Sequence, residues 1–334
     1  MKSILLNADT PFLSNKIFDI TDKKYNRDNC LMPYYQLQQS LQSQGYNLQT
    51  IDCGDIHSAE YIIFFDLPKN NIFFRKCIEA GLQEKMIFWL LEPPAVSRRN
   101  WNRKLHKNFL KVFTWNDALV DNKKYFKMFY PQPQLPATEF IPFPQRKLCT
   151  LIAGNKKSRH PLELYSERIR AIKAFEKLCP DQFDFYGNGW NKPNQKIQRL
   201  FPFLTPHFHS YRGPIADKSE VLSQYKFSIC YENFLGSQEY DGYITEKILD
   251  CFMSQCVPVY LGASNITTYI PKETFIDKRN FSSYNDLFTY LSNMSAEEHA
   301  NYLANINRYL NSDLFYKNFS TESFINLMLK HLTK

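Results

Sequence analysis

Tyr225 to Gly262 reads YKFSICYENFLGSQEYDGYITEKILDCFMSQCVPVYLG. The run Phe227 to Tyr231 is apolar and strand-like, then turns polar at Glu232-Asn233. After a loop, Ile244, Ile248, Cys251 and Phe252 recur at i, i+4, i+7 and i+8, one face of a helix. Val257-Pro258-Val259 opens a second strand. Strand, helix and strand in this order predict a parallel α/β sheet. Lys247 then falls in the first turn of the helix, where the dipole disfavours a cation. An anion beside it removes the conflict, because free N–H groups at a helix start plus a lysine form a phosphate site. Glu246 can accept from two adjacent hydroxyls, as a ribose presents them. A solvated Glu-Lys pair would give the same pattern. Polar residues at a strand's C-terminal end are where α/β sites collect, although an ordinary strand-to-loop transition reads the same way.

The same alternation extends upstream. Ile4-Leu5-Leu6 opens the chain as a strand, Tyr34 to Gln44 has helical spacing, and Tyr46 to Ile51 suggests the next strand. Tyr61 to Phe65 is fully apolar and ends at Asp66, as a buried parallel strand does. A helix through Phe74 to Ala80 follows. Lys85 to Leu91 is then a strand that ends at Glu92-Pro93-Pro94, and Val112 to Trp115 is another. Pro131 to Lys147 holds five prolines in 17 positions, which excludes helix and central strand and reads as a linker. Beyond it the pattern restarts: strand Leu148 to Ala153 with Gly154-Asn155, helix Leu162 to Leu178, strand Phe183 to Tyr186, and a helical stretch Tyr284 to Leu310. The expected fold class is α/β, with domains at 1–140 and 147–310 and a helical segment at 311–334. Ligands in such sheets sit beyond the carboxyl ends of the strands.

The chain has 334 residues, 44% of them hydrophobic and 16% aromatic, which argues for folded domains and against disorder. Its net charge of +8 suits anionic partners such as nucleotide phosphates, and equally a soluble protein with a basic surface. The lysines form no long run, and no nucleic-acid-binding motif is present, so nucleic acid is not expected as a partner. None of the eight cysteines forms a CxxC, which predicts reduced core thiols. MKSILLNADTPF is too short an apolar run for a secretory signal, and no segment approaches about 18 uninterrupted apolar residues. A cytoplasmic protein is therefore expected, with peripheral contact at the inner face of a membrane left open by the apolar C-terminal helix. His207 and His209 lack a carboxylate or cysteine at ligand spacing, and there is no DxD motif, so no bound metal is expected.

Taken together, Tyr225-Lys226-Phe227, Tyr231-Glu232-Asn233, Tyr243-Ile244-Thr245-Glu246-Lys247, Val257-Pro258-Val259 and Leu261-Gly262 resemble the signature of glycosyltransferase family 10, the α1,3/α1,4-fucosyltransferases, of bacterial type. The resemblance covers about residues 148 to 310 and is weak before that. It implies the GT-B architecture, two Rossmann-like domains facing across a cleft. The C-terminal domain would take a GDP-sugar and the N-terminal one an oligosaccharide acceptor. It implies an inverting transfer of fucose from GDP-fucose to a glycan hydroxyl, in lipopolysaccharide or protein glycosylation, with no cofactor required and a divalent metal at most stimulatory. Another nucleotide sugar, or a catalytically inert glycan- or nucleotide-binding relative, fits the same residues. In the family's terms Lys247 meets the diphosphate, Glu246 the ribose, and Asn233 and Tyr243 line the phosphates. Arg168 is the diphosphate arginine, with Arg170, Asn155 and Glu232 as weaker candidates. Glu92 resembles the family's general base, with Asp66 as the fallback. The loop Phe234 to Gly242 is longer than the family leads one to expect.

Overall fold

The computed structural model describes residues 1–67, 71–133, 141–192, 200–201 and 207–333. The chain divides into two compact units: Met1–Gln134 with Gly236–Ile244 and Asp313–Lys334, and Leu135–Leu235 with Thr245–Ser312. The middle of the expected Pro-rich linker lies outside the described residues.

Unit 1 is built on a parallel sheet of β1 (Lys2–Asn7), β2 (Tyr46–Thr50), β3 (Tyr61–Phe65), β4 (Met86–Leu90), β5 (Lys111–Thr114) and β6 (Tyr125–Lys127), in the order β2-β1-β3-β4-β5-β6. The described helices among its first 134 residues are α1 (Met32–Ser43), α2 (Ile72–Glu79) and the short α3 (Arg103–His106). Successive strand residues point to opposite faces, and both faces of the central strands are covered, which is why β3 (YIIFF) and β4 (MIFWL) are apolar throughout. Ile4, Leu6, Ile63, Ile87, Trp89 and Phe113 pack on one face with Leu37 and Leu41 of α1. Leu5, Ile62, Phe64, Phe88, Leu90 and Val112 pack on the other with Phe74 and Cys77 of α2.

Unit 2 repeats the plan. Its strands are β7 (Lys147–Ile152), β8 (Phe183–Tyr186), β9 (Tyr225–Tyr231), β10 (Val257–Leu261) and β11 (Ile276–Asp277), all parallel, in the order β11-β10-β9-β7-β8. Its described helices are α4 (Tyr165–Leu178), α5 (Lys218–Leu222), α6 (Glu246–Met253), α7 (Tyr284–Asn293) and α8 (Ala296–Leu310). In each unit the chain winds from its first strand to one side, then crosses to the other. The crossing leaves a switch point between β1 and β3, and another between β7 and β9. Tyr284 to Leu310 forms two helices where the sequence suggests one stretch. Ser295 accepts from the Glu298 N–H while Glu298 accepts from the Ser295 N–H, a capping box that starts a new helix.

The unit boundaries differ from the sequence expectation in two places. Asp313–Lys334, read as a separate segment, supplies α9 (Asp313–Phe319) and α10 (Thr321–Leu332) to unit 1. Phe324, Met328 and Leu332 of α10 share the core face occupied by α1. Gly236–Ile244, read as part of the second domain, also belongs to unit 1. There Asp117 N–H donates to the Asp241 carbonyl at 3.1 Å, and Asn116 Nδ2 to the Glu239 carbonyl at 3.0 Å. At Gly242, with φ +91°, a Cβ would lie 2.5 Å from the Trp115 carbonyl oxygen, so only glycine fits.

Asp184 of β8, buried, ties three chain segments of unit 2 together. It accepts from Lys147 Nζ at 2.6 Å, Tyr225 OH at 2.7 Å and Arg212 Nε at 2.5 Å. Burial would raise its pKa, but the bonds from Lys147 and Tyr225 outweigh burial and hold it below the usual carboxylate value. The stability contributed by a depressed carboxyl is present above its unfolded pKa of about 4 and lost as pH falls through the folded value. Asp184→Asn is therefore expected to lower the free energy of unfolding by about 3 kcal/mol at pH 7. In urea titrations the gap to the parent should narrow steadily below about pH 4.

Candidate functional site

At the C-terminal end of β9 the polar turn Glu232-Asn233 follows directly on an apolar strand. The Glu232 carboxylate is completely buried, 0% exposed. A buried carboxylate needs partners to stay charged. It has them in the segment that opens α6. Glu232 Oε1 accepts the Thr245 backbone N–H at 2.8 Å, and Oε2 accepts the Thr245 hydroxyl at 2.8 Å. Lys247 Nζ lies 3.3 Å from Glu232 Oε2 and donates to Thr245 Oγ1 at 2.9 Å. The helix start is thus locked to the strand end through one side chain. Gly262, after β10, leaves room for it: a Cβ there would approach Glu232 Cγ to 2.6 Å.

Lys247 also lies 3.6 Å from Glu246 Oε1, and Lys218 reaches Glu246 at 4.0 Å and Asp250 at 2.7 Å. Burial pulls Lys247 toward neutrality, but the Glu232 and Glu246 carboxylates outweigh it and raise its pKa. Burial pushes Glu246 up, and the ammonium groups of Lys247 and Lys218 overcome it and lower its pKa. At neutral pH Lys247 and Glu246 are therefore both charged. The two side chains differ in access: Lys247 is 21% and Glu246 42% exposed. Both can meet a ligand.

Arg168 comes from α4. The chain after β9 runs beside the residues before that helix, with the Leu235 N–H bonded to the Leu162 carbonyl at 2.8 Å and the Leu164 N–H to the Asn233 carbonyl at 3.2 Å. This places Arg168 under the Glu232-Asn233 turn. Its Nη2 donates to the Tyr231 carbonyl at 2.6 Å and to Asn233 Oδ1 at 3.0 Å, and the residue is only 4% exposed. Arg168 holds the turn and orients Asn233. Arg170, two residues on, faces away and pairs with Glu167 at 68% exposure, outside the cluster. Asn155 lies in the loop after β7. It donates from Nδ2 to the Gly189 carbonyl at 3.1 Å and from its N–H to the Asn188 carbonyl at 2.9 Å, lacing two loops of the sheet edge.

Tyr243 belongs to unit 1, where its ring packs 4.9 Å from that of Trp115 and is buried. Glu92, in the turn after β4, is likewise in unit 1. Its neighbours there are Asp66 and two tryptophans. The Trp101 Nε1–H donates to the Glu92 carbonyl at 3.0 Å, and the Trp115 Nε1–H to the Leu91 carbonyl at 2.6 Å. Sequence reading gave no role to Thr245, Lys218 or Asp250 in the cluster. Lys218 and Asp250 are 32 positions apart, so no spacing rule joins them. Thr245 stood in the quoted motif, and a threonine just before a helix reads as a cap, whereas here its hydroxyl serves Glu232 and Lys247. Among the described residues no group of three or more His, Cys, Asp or Glu could hold a metal ion. Among them, too, no helix is long and apolar enough to cross a membrane.

Two parallel sheets of the same winding, with charged side chains gathered beyond the C-terminal end of a strand at the second switch point, define a GT-B protein. Comparison with solved structures agrees. An α1,3-fucosyltransferase crystallised with GDP-fucose superposes with a TM-score of 0.56 at 16% identity, covering 100% of this chain and 90% of that one. An α-glucosyltransferase in complex with UDP and a 13-mer DNA gives 0.60 at 8% identity, covering 99% of each chain. These likenesses show the fold. Residues 144–323, more than half of the chain, match the family described as glycosyltransferase family 10 (fucosyltransferase), C-terminal part, and the chain belongs to that family. Among its relatives, the α-(1,3)-fucosyltransferase FucT of Helicobacter pylori is 31% identical over 86 residues, 26% of this chain and 17% of that protein. The 4-galactosyl-N-acetylglucosaminide 3-α-L-fucosyltransferase of Homo sapiens is 37% identical over 122 residues, 34% of this chain and 33% of that protein. The chain thus spans a third or less of the length of these curated relatives.

Thr245→Val removes the hydroxyl that joins Glu232 to Lys247 while keeping shape and the backbone bond. It leaves part of a buried charge unsatisfied, at a cost of about 1–3 kcal/mol. Thermal unfolding should show that loss, and Thr245→Ser should restore most of it.

Proposed function

We propose that the protein is an inverting fucosyltransferase that moves fucose from GDP-fucose to a hydroxyl of a glycan acceptor. The observation that carries the reading is the cluster Glu232–Thr245–Lys247 with Glu246 and Arg168 at the end of β9. It combines a partly exposed ammonium, held charged by two carboxylates, with a more exposed carboxylate that its neighbours keep ionised. A nucleoside diphosphate needs both: a cation at the phosphates and an acceptor for paired ribose hydroxyls. Membership of family 10 supports the same assignment and favours GDP-fucose over other sugar nucleotides.

In this reading Lys247 contacts the diphosphate and Glu246 the ribose. Arg168, nearly closed to solvent, presents Asn233 and adds its charge at short range. Tyr243 would line the phosphates. Glu92 takes the proton from the acceptor hydroxyl as that oxygen bonds to the anomeric carbon of fucose. The bond from that carbon to the diphosphate oxygen breaks, and its electron pair leaves on GDP. One displacement inverts the anomeric centre, and general-base catalysis of this kind contributes about 10²- to 10⁴-fold. Stabilising the leaving diphosphate by fixed cations is the larger electrostatic contribution. The acceptor class we favour is a galactosyl-N-acetylglucosaminide, the group in the names of several relatives, carried on a surface glycan such as lipopolysaccharide.

GDP and GDP-fucose should raise the melting temperature, and UDP and UDP-glucose should not. A UDP-only response would overturn the choice of nucleotide. Lys247→Ala is expected to weaken GDP binding about 10- to 100-fold by calorimetry, the worth of a charged hydrogen bond or two. Glu92→Gln should lower kcat for transfer at least about a hundred-fold while leaving GDP affinity unchanged. Parental kcat in that variant would remove Glu92 from the role of base.

A further inference from the structure

Asp66 follows β3, and Glu92 comes just after β4, its neighbour in the sheet. The Asp66 side chain turns across to that neighbour. Its Oδ1 accepts the backbone N–H groups of Leu91 and Glu92, each at 3.1 Å, and Asn100 Nδ2 at 2.6 Å. Asn100 is buried, and its own Oδ1 accepts the Leu67 N–H at 2.9 Å. The Asp66 N–H donates to the Trp89 carbonyl at 3.0 Å. Asp66 itself has φ +57°, a left-handed conformation that aspartate, asparagine and glycine tolerate best. With Trp101 and Trp115 on the two carbonyls, both peptide N–H groups and both carbonyls of Leu91 and Glu92 are fixed. One side chain, Asp66, thus takes both peptide N–H groups of the turn that carries the glutamate.

We propose that Asp66 is the positioning residue for Glu92, acting through its Oδ1 acceptor and not through a charge or a proton. The inference rests on Glu92 being the base in the reading above. Burial first, and the Glu92 and Asp9 carboxylates after it, push Asp66 up to about 8, against the pull of the Glu92 and Leu91 N–H groups. A neutral Asp66 keeps its Oδ1 as the acceptor of the three bonds, each weaker than to a carboxylate. It also spares the turn two adjacent negative charges. Asparagine keeps the acceptor oxygen and the left-handed backbone. Glycine keeps the backbone and removes the clamp.

The test is transfer kinetics on the full chain, with GDP-fucose and a 4-galactosyl-N-acetylglucosaminide, for Asp66→Asn, Asp66→Gly and Glu92→Gln. Asp66→Asn should stay within about three-fold of the parental kcat. Asp66→Gly should lose about thirty-fold or more in kcat, with KM for GDP-fucose within two-fold and the GDP-induced thermal shift intact. An Asp66→Asn variant that loses thirty-fold in kcat would overturn the proposal, because the carboxyl itself would then be needed. That arm holds even if Asp66→Gly does not fold. Parental kcat in Asp66→Gly would overturn it as well. Parental kcat in Glu92→Gln would instead sink the assignment of the base, a separate outcome.

Discussion

A carboxylate with no access to solvent constrains the whole second unit. Burying an unpaired charge costs several kcal/mol, so the fold must bring partners to Glu232. The partners are Thr245 and Lys247, and both belong to the opening of α6. Their bonds fix where that helix begins relative to β9. They also explain why a lysine is tolerated in a first helical turn, where the dipole alone disfavours it. Gly262 follows from the same constraint, since any side chain there would collide with Glu232. Arg168 completes the arrangement by holding the last carbonyl of β9 and the Asn233 amide. The site is a consequence of satisfying one buried charge.

Unit 1 solves a similar problem differently. Among the described residues Asp66 pairs with no cation. It gathers two backbone N–H groups and an amide on one oxygen and is pushed toward its neutral form. The two carboxylates of the two units thus have opposite fates: Glu232 stands beside an ammonium, and Asp66 stands beside another carboxylate. The first environment holds the Lys247 ammonium beside the end of β9. The second fixes the turn that carries Glu92.

Much of the fold was legible because parallel strands covered on both faces must be apolar throughout, and such runs stand out in Tyr61 to Phe65 and Lys85 to Leu91. The switch-point logic also carried over, since charged groups gather at the end of β9 as the position of Glu232-Asn233 suggested. Unit membership was less legible. Gly236–Ile244 packs in unit 1 through the carbonyls of Glu239 and Asp241, and backbone carbonyls have no sequence signature. The C-terminal helices joined unit 1 for a reason the sequence did show: Phe324, Met328 and Leu332 make an apolar face, but nothing in the pattern says which core receives it.

The sequence by itself determined that this is an α/β chain with two runs of alternating strands and helices and the signature of family 10. Strand and helix periods, and a dense motif of short-range order, are local properties of a chain. It also put Lys247 in a first helical turn and Glu92 at a strand end. Tertiary structure alone decided what those side chains meet. That Glu232 is the anchor of Lys247, that Lys218 joins them, that Arg168 orients Asn233, and that Asp66 closes the Glu92 turn depend on contacts between residues far apart in sequence. Burial and hydrogen-bond pairing set those contacts, and both exist only once the sheets have formed.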